Sequence, residues 1–121
     1  MKAMRIPLAI TSIAVATITL ASAQTAGAVA TAGDDAGVSI RTFQFAPDTV
    51  RVKAGTRVVW TNNDDIEHTI TSGMPDDTKG PFHGVLAKSG ATYSAVLNDP
   101  GTFRYFCDRH RFMTGTVTVT R

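Results

Sequence analysis

After residue 37 this chain keeps no helical hydrophobic period. What recurs is short alternation of apolar and polar residues, closed off by turn residues. That pattern predicts an all-β sandwich. Val38, Ile40, Phe43 and Phe45 fall in a first strand region, broken by Ala46-Pro47-Asp48. Val50 and Val52 alternate with Arg51 and Lys53, as in a half-buried strand, and Ala54-Gly55 turns the chain. Arg57 to Asn62 reads as the next strand, with Trp60 in the core, and Asn62-Asn63-Asp64-Asp65 is a strong turn cluster. Ile66, His68 and Ile70 would then share one strand face, and Glu67, Thr69 and Thr71 the other. Ser72 to Gly90 is rich in Gly and Pro and reads as a long irregular connection holding at most one short strand or helical turn. Thr92 to Leu97 is a strand, and Asn98 to Gly101 a turn. Phe103, Tyr105 and Cys107 alternate into the core, and Val117 and Val119 mark the last strand. A sandwich of about 85 residues buries a small but sufficient core, so the fold is expected to stand largely without a metal.

The only cysteine, Cys107, is followed by His110 and then Met113. Thiolate, imidazole and thioether within seven residues is an unusual combination. Cys and Met are soft ligands and imidazole suits copper. The spacing fits a strand that delivers Cys107 into a tight loop, from which His110 and Met113 turn back. A fourth ligand must come from elsewhere, and His68 is the candidate. Two His and one Cys with a weak axial Met is the ligand set of a blue-copper electron-transfer site. Taken alone, each residue has a plainer reading: a buried inert Cys, a core His on an apolar strand face, a core Met. Together they favour the metal. Zinc is less favoured by a Met ligand. Met74 and His83 have no spacing that ties them to Cys107 and are read as non-ligands; Phe82 is left open between the site and the surface.

The order His68, Cys107-x2-His110-x2-Met113 resembles the cupredoxin family, and its short ligand loop is similar to that of amicyanin. Val58-Val59-Trp60-Thr61-Asn62, Glu67-His68-Thr69 and Pro100 to Tyr105 carry the same resemblance, which covers Val38 to Arg121. It implies a Greek-key β-sandwich with one type 1 copper ion on His68, Cys107, His110 and Met113. It also implies a small electron shuttle rather than an enzyme, acting as a monomer between redox proteins. An amine dehydrogenase donor and a c-type cytochrome acceptor are the partners it suggests. His110, in the loop, would be the electron port. Two departures stand out. Thr69 stands where many cupredoxins have Asn, though its hydroxyl can still reach the Cys107 loop. Arg111 stands where amicyanin-like loops usually carry Pro. Arg109 and Arg111 flank His110, and Arg104 lies on the approaching strand. They form either a positive docking face that favours an acidic partner patch or a solvated loop without a recognition role.

The start of the chain has Lys2 and Arg5, an apolar run from Ile6 to Leu20 and a small-residue Ala21-Ser22-Ala23, with Ala26-Gly27-Ala28 as a second cleavage option. This predicts a secretory signal peptide over residues 1–23, followed by a flexible or partly stranded lead-in over 24–37 and a domain over 38–121. Periplasmic or secreted destination follows. Without Lys2 and Arg5 the 12 basic residues become 10, equal to the 10 acidic ones. The apparent pI near 9.0 therefore gives no argument for a nucleic-acid partner. A single free thiol in an oxidising compartment invites intermolecular pairing unless something occupies it, and a metal does so. Two other classes compete. A copper chaperone or storage module would use an open, exchangeable site, whereas this one reads as closed. A Cys-His hydrolase is disfavoured because both residues sit on one short strand-loop and no oxyanion arrangement is visible.

Overall fold

The computed structural model describes residues 29–30 and 34–121. The expected signal peptide and most of the expected lead-in lie outside the described residues. Among the described residues ten strands form two sheets. The first sheet holds β2 (Asp35–Arg41), β3 (Gln44–Ala46), β5 (Thr56–Asn62) and β8 (Thr92–Leu97), in the order β3-β2-β5-β8. The second holds β1 (Val29–Ala30), β4 (Thr49–Lys53), β6 (His68–Ser72), β7 (His83–Leu86), β9 (Gly101–Phe106) and β10 (Thr114–Thr120), in the order β1-β4-β10-β9-β6-β7. Parallel pairs β1–β4, β4–β10 and β2–β5 stand beside antiparallel ones, and the chain crosses repeatedly between the sheets. Among the described residues no helix is long and apolar enough to cross a membrane.

Alternation drives the layering. In β4 Val50 and Val52 face inward while Thr49, Arg51 and Lys53 are exposed; in β5 Thr56, Val58, Trp60 and Asn62 are buried. The inner faces meet in a core that includes Val38, Ile40, Val58 and Trp60 from one sheet and Val52, Ile70, Leu86, Tyr105 and Val117 from the other. Trp60 is the hub. Its ring centroid lies 5.4 Å from those of Phe82 and Tyr105 and 5.8 Å from that of Tyr93. Phe82 is therefore a core residue, not a surface one.

A strand begins at Asp35, so the end of the stretch read as a flexible or partly stranded lead-in takes the stranded form. The structure departs from the sequence pattern in three places. Phe43 is not in a strand: Thr42 and Phe43 turn with φ of 53° and 59°, which leaves Phe43 out of the alternation and half-exposed. Ile66 and Glu67 precede β6 instead of belonging to it, and Ile66 is 41% exposed. His83, read as a loop residue, opens strand β7 opposite Thr71 and is exposed, while Met74 is exposed in the preceding loop.

Candidate metal centre

Strand β9 ends at Phe106 and delivers Cys107 into a loop that returns at Met113. Three backbone bonds fix that loop. The Cys107 N–H donates to the Met113 carbonyl (3.0 Å), the Met113 N–H to the His110 carbonyl (2.8 Å) and the His110 N–H to the Cys107 carbonyl (3.2 Å). His68 opens β6, which pairs with β9 through Thr71 and Ser72. The pairing brings His68 to the same end of the sandwich as the loop.

The Cys107 Sγ lies 3.7 Å from His68 Nδ1 and 3.6 Å from His110 Nδ1. All three ligand atoms fall within 4.8 Å of one another. A trigonal ion with bonds of about 2.3 Å to sulfur and about 2.0 Å to nitrogen needs a sulfur–nitrogen separation of about 3.7 Å. The donor set therefore fits a metal ion, and its thiolate and two imidazoles are the chemistry copper takes. Cys107 and His68 are fully buried and His110 is half-buried, so one ligand edge reaches toward solvent. Met113, 2% exposed, closes the loop from the core side.

The surroundings hold these donors in place. The Thr69 N–H points at Cys107 Sγ (3.4 Å). The Thr69 hydroxyl accepts from the Asp108 N–H at 2.7 Å, so Thr69 ties β6 to the loop. Thr69 and Thr71 are both buried, with their hydroxyls 3.2 Å apart, which explains why β6 is buried on both faces despite its polar residues.

The turn after β5 contributes more than its composition announces. Asn62 is fully buried: its Nδ2 donates to the Ile66 and Leu86 carbonyls, and its Oδ1 accepts from the Asp64 N–H. This presents the Asp64 carboxylate to His68 Nε2 at 2.9 Å. The same carboxylate accepts from the Thr42 and Phe43 N–H groups at 2.7 and 3.0 Å. Partial burial pushes the Asp64 carboxyl up, but the Phe43 and Thr42 N–H groups and the His68 ring outweigh that and hold it below its ordinary value. Phe43 meets both imidazoles edge-on, with ring centroids 5.5 Å from His68 and 4.9 Å from His110. Sequence reasoning treated Asp64 as a turn residue and Phe43 as a strand residue and found neither role.

The two arginines beside His110 are paired: Arg109 with Glu67, and Arg111 with Asp108 at 3.8 Å. Two exposed aromatic rings lie beside His110: Phe43, its centroid 4.9 Å away, and Phe112 at 6.2 Å, the latter 73% exposed. His83 is not in this cluster of donors.

A two-sheet β-sandwich with a buried thiol and two imidazoles clustered at one end is the design of a cupredoxin, a blue copper protein. The family model described as copper binding proteins, plastocyanin/azurin family, matches residues 32–120. Amicyanin-alpha of Methylorubrum extorquens is 38% identical over 86 residues, covering 68% of this chain and 69% of that protein. A plastocyanin of Scenedesmus fuscus is 34% identical over 95 residues, covering 72% of this chain and 93% of its own. Among solved structures, a purple cupredoxin from Nitrosopumilus maritimus superposes with a TM-score of 0.62 at 26% identity, covering 70% of this chain and 99% of that one. The chain belongs to the plastocyanin/azurin family of copper-binding proteins, and copper is its cofactor.

Proposed function

We propose that this protein is a small exported electron shuttle whose single type 1 copper ion would be held by His68, Cys107 and His110, with Met113 as a weaker fourth ligand. The observation that carries the reading is the trio of donor atoms: one sulfur with two Nδ1 atoms at 3.6 and 3.7 Å. When bound, copper supplies a single electron by alternating between Cu(II) and Cu(I). Everything else is the work of the chain. Cys107 offers a thiolate in a pocket closed to solvent, which also protects the thiol from pairing elsewhere. Two sheets and the bonds of the 107–113 loop keep the donors fixed, so that gain or loss of an electron requires little rearrangement. His110, the half-buried ligand, is the exit for the electron, and the exposed rings of Phe43 and Phe112 beside it exclude water when a partner docks. Redox proteins such as an amine dehydrogenase donor and a c-type cytochrome acceptor are the expected partners, met in the periplasm after removal of residues 1–23.

A chaperone or storage module is the second reading. The complete burial of Cys107 and His68 weighs against it, because an exchangeable site needs an open path to its ligands.

The test is the optical spectrum of the purified protein with Cu(II). An intense visible thiolate-to-copper band, reversible reduction and slow copper release to a chelator support the shuttle. A Cys107→Ser variant is expected to lose the band entirely while keeping its far-UV spectrum. A Ser variant that still turns blue would refute the reading.

A further inference from the structure

We infer that Asp64 is a positioning residue for the metal centre, one carboxylate that fixes both the outer nitrogen of His68 and the Phe43 ring that covers the two histidines. This rests on the proposed ligand set.

Three donors converge on Asp64. Its Oδ1 accepts from the Thr42 N–H at 2.7 Å, and its Oδ2 accepts from the Phe43 N–H at 3.0 Å and stands 2.9 Å from His68 Nε2. His68 Nδ1 faces Cys107 Sγ at 3.7 Å, so the ring has one nitrogen for each partner. The carboxylate on Nε2 selects the tautomer that leaves Nδ1 free as a donor to a metal, and it holds the plane of the ring.

Its hold on residues 42 and 43 has a different purpose. Thr42 and Phe43 both have left-handed backbone, at φ of 53° and 59°. A β-branched and an aromatic residue in succession rarely adopt it. The conformation needs something to hold it, and the two N–H groups it turns to one side are met by a carboxylate. The result places the Phe43 ring edge-on against His68 and His110. Asp64 is itself set by Asn62, whose Oδ1 takes the Asp64 N–H at 2.9 Å. A chain of contacts therefore runs from the buried end of β5 to both imidazoles.

An asparagine cannot replace this carboxylate. Its amide offers one oxygen and one NH2, so at least one of the three donors would face another donor. Removing the negative charge also weakens electron donation through His68, which favours Cu(I) over Cu(II).

Four measurements test the assignment. In the metal-free wild type, NMR couplings through the hydrogen bonds are expected from the Thr42 and Phe43 amides and His68 Nε2 to the Asp64 carboxyl carbon. Their absence overturns the inference without any variant. In metal-free Asp64→Asn, amide exchange at Thr42 and Phe43 is expected to accelerate at least tenfold, while Asp65→Asn, a neighbouring exposed acid, leaves it unchanged. In the copper-loaded protein, Asp64→Asn is expected to raise the midpoint potential. A tenfold shift in the ratio of Cu(I) to Cu(II) affinity reads as about 59 mV for one electron. Asp64→Glu, which keeps the charge, should recover most of that shift. Faster exchange with an unchanged potential would reduce Asp64 to a structural turn residue and overturn the positioning role. Failure of the wild type to form the blue site would refute the proposed function, while the metal-free arms would still decide whether Asp64 orders His68 and Phe43.

Discussion

The centre owes its order to single side chains with several partners each, and Thr69 is the simplest case. Its N–H points at the Cys107 sulfur, and its hydroxyl accepts the Asp108 N–H. Thr69→Val keeps the shape and removes the acceptor, which leaves a partly buried N–H without a partner. The expected cost is about 1–3 kcal/mol, read as a lower urea midpoint of the metal-free protein, with Thr69→Ser retaining most of the stability. An unchanged midpoint in Thr69→Val would show that water replaces the hydroxyl. Residues of this scale divide sharply in how well the sequence announces them. Cys107, His110 and His68 stand out because their side chains are rare and chemically specific. Asp64 and Phe43 do not. Their meeting joins positions 21 and 22 residues apart in sequence through a backbone conformation that Thr and Phe seldom adopt. No local pattern encodes that.

At the scale of strands, the two sheets close on aromatic rings that lie over glycines. Tyr93 on β8 sits against Gly84 on β7, where the sheets approach each other, and Tyr105 on β9 lies over its cross-strand partner Gly115 on β10. A Cβ at either glycine would collide with the ring. Gly84→Ala and Gly115→Ala are therefore each expected to destabilise by about 1–3 kcal/mol through overpacking. Thermal unfolding of the metal-free variants checks this, and a melting temperature within error of wild type would mean the ring moves aside at no cost. Strand positions were largely legible because period-two alternation is a direct record of one buried face: Thr49–Lys53, Thr92–Leu97 and Thr114–Thr120 all follow it. The reading failed where loop geometry overrode the period. Ile66 continues the apolar spacing of His68 and Ile70, yet the bonds of Asn62 fold residues 62–66 into a turn and leave Ile66 at the surface. Asp35 to Gly37 carry too weak a hydrophobic signal to choose between a flexible and a stranded lead-in, and parallel pairing with Arg57 to Val59 decides for the strand.

For the molecule as a whole, electrostatics sets two behaviours. The first is alkaline stability. Burial pushes the Tyr105 phenol up, Trp60 opposes this in part and the Asp48 charge adds to it, for a value of about 12 against 10.0 in an unfolded chain. Below pH 10 both states hold the proton and the full stability is present. As pH rises from about 10 to about 12, the unfolded chain loses the proton first, so stability falls by about 2–3 kcal/mol. Urea unfolding near pH 9 and near pH 11.5 should show this loss, and Tyr105→Phe should lack it. The second behaviour concerns docking. The sequence left open whether Arg109 and Arg111 make a positive face. In the folded protein Glu67 pairs with the first and Asp108 with the second, beside the exposed rings of Phe43 and Phe112. Charges neutralised within a few ångströms leave little field at the distances where salt screens, about 10 Å at 0.1 M. Electron self-exchange between two copies, if it passes through the His110 face, should then change by less than about twofold between low salt and 0.1 M. Glu67→Gln releases Arg109 and should make two like faces repel, so its self-exchange becomes slower at low salt and recovers as salt is added. A strong salt dependence already present in the wild type would mean that unpaired charges, not the two aromatic rings, govern the approach.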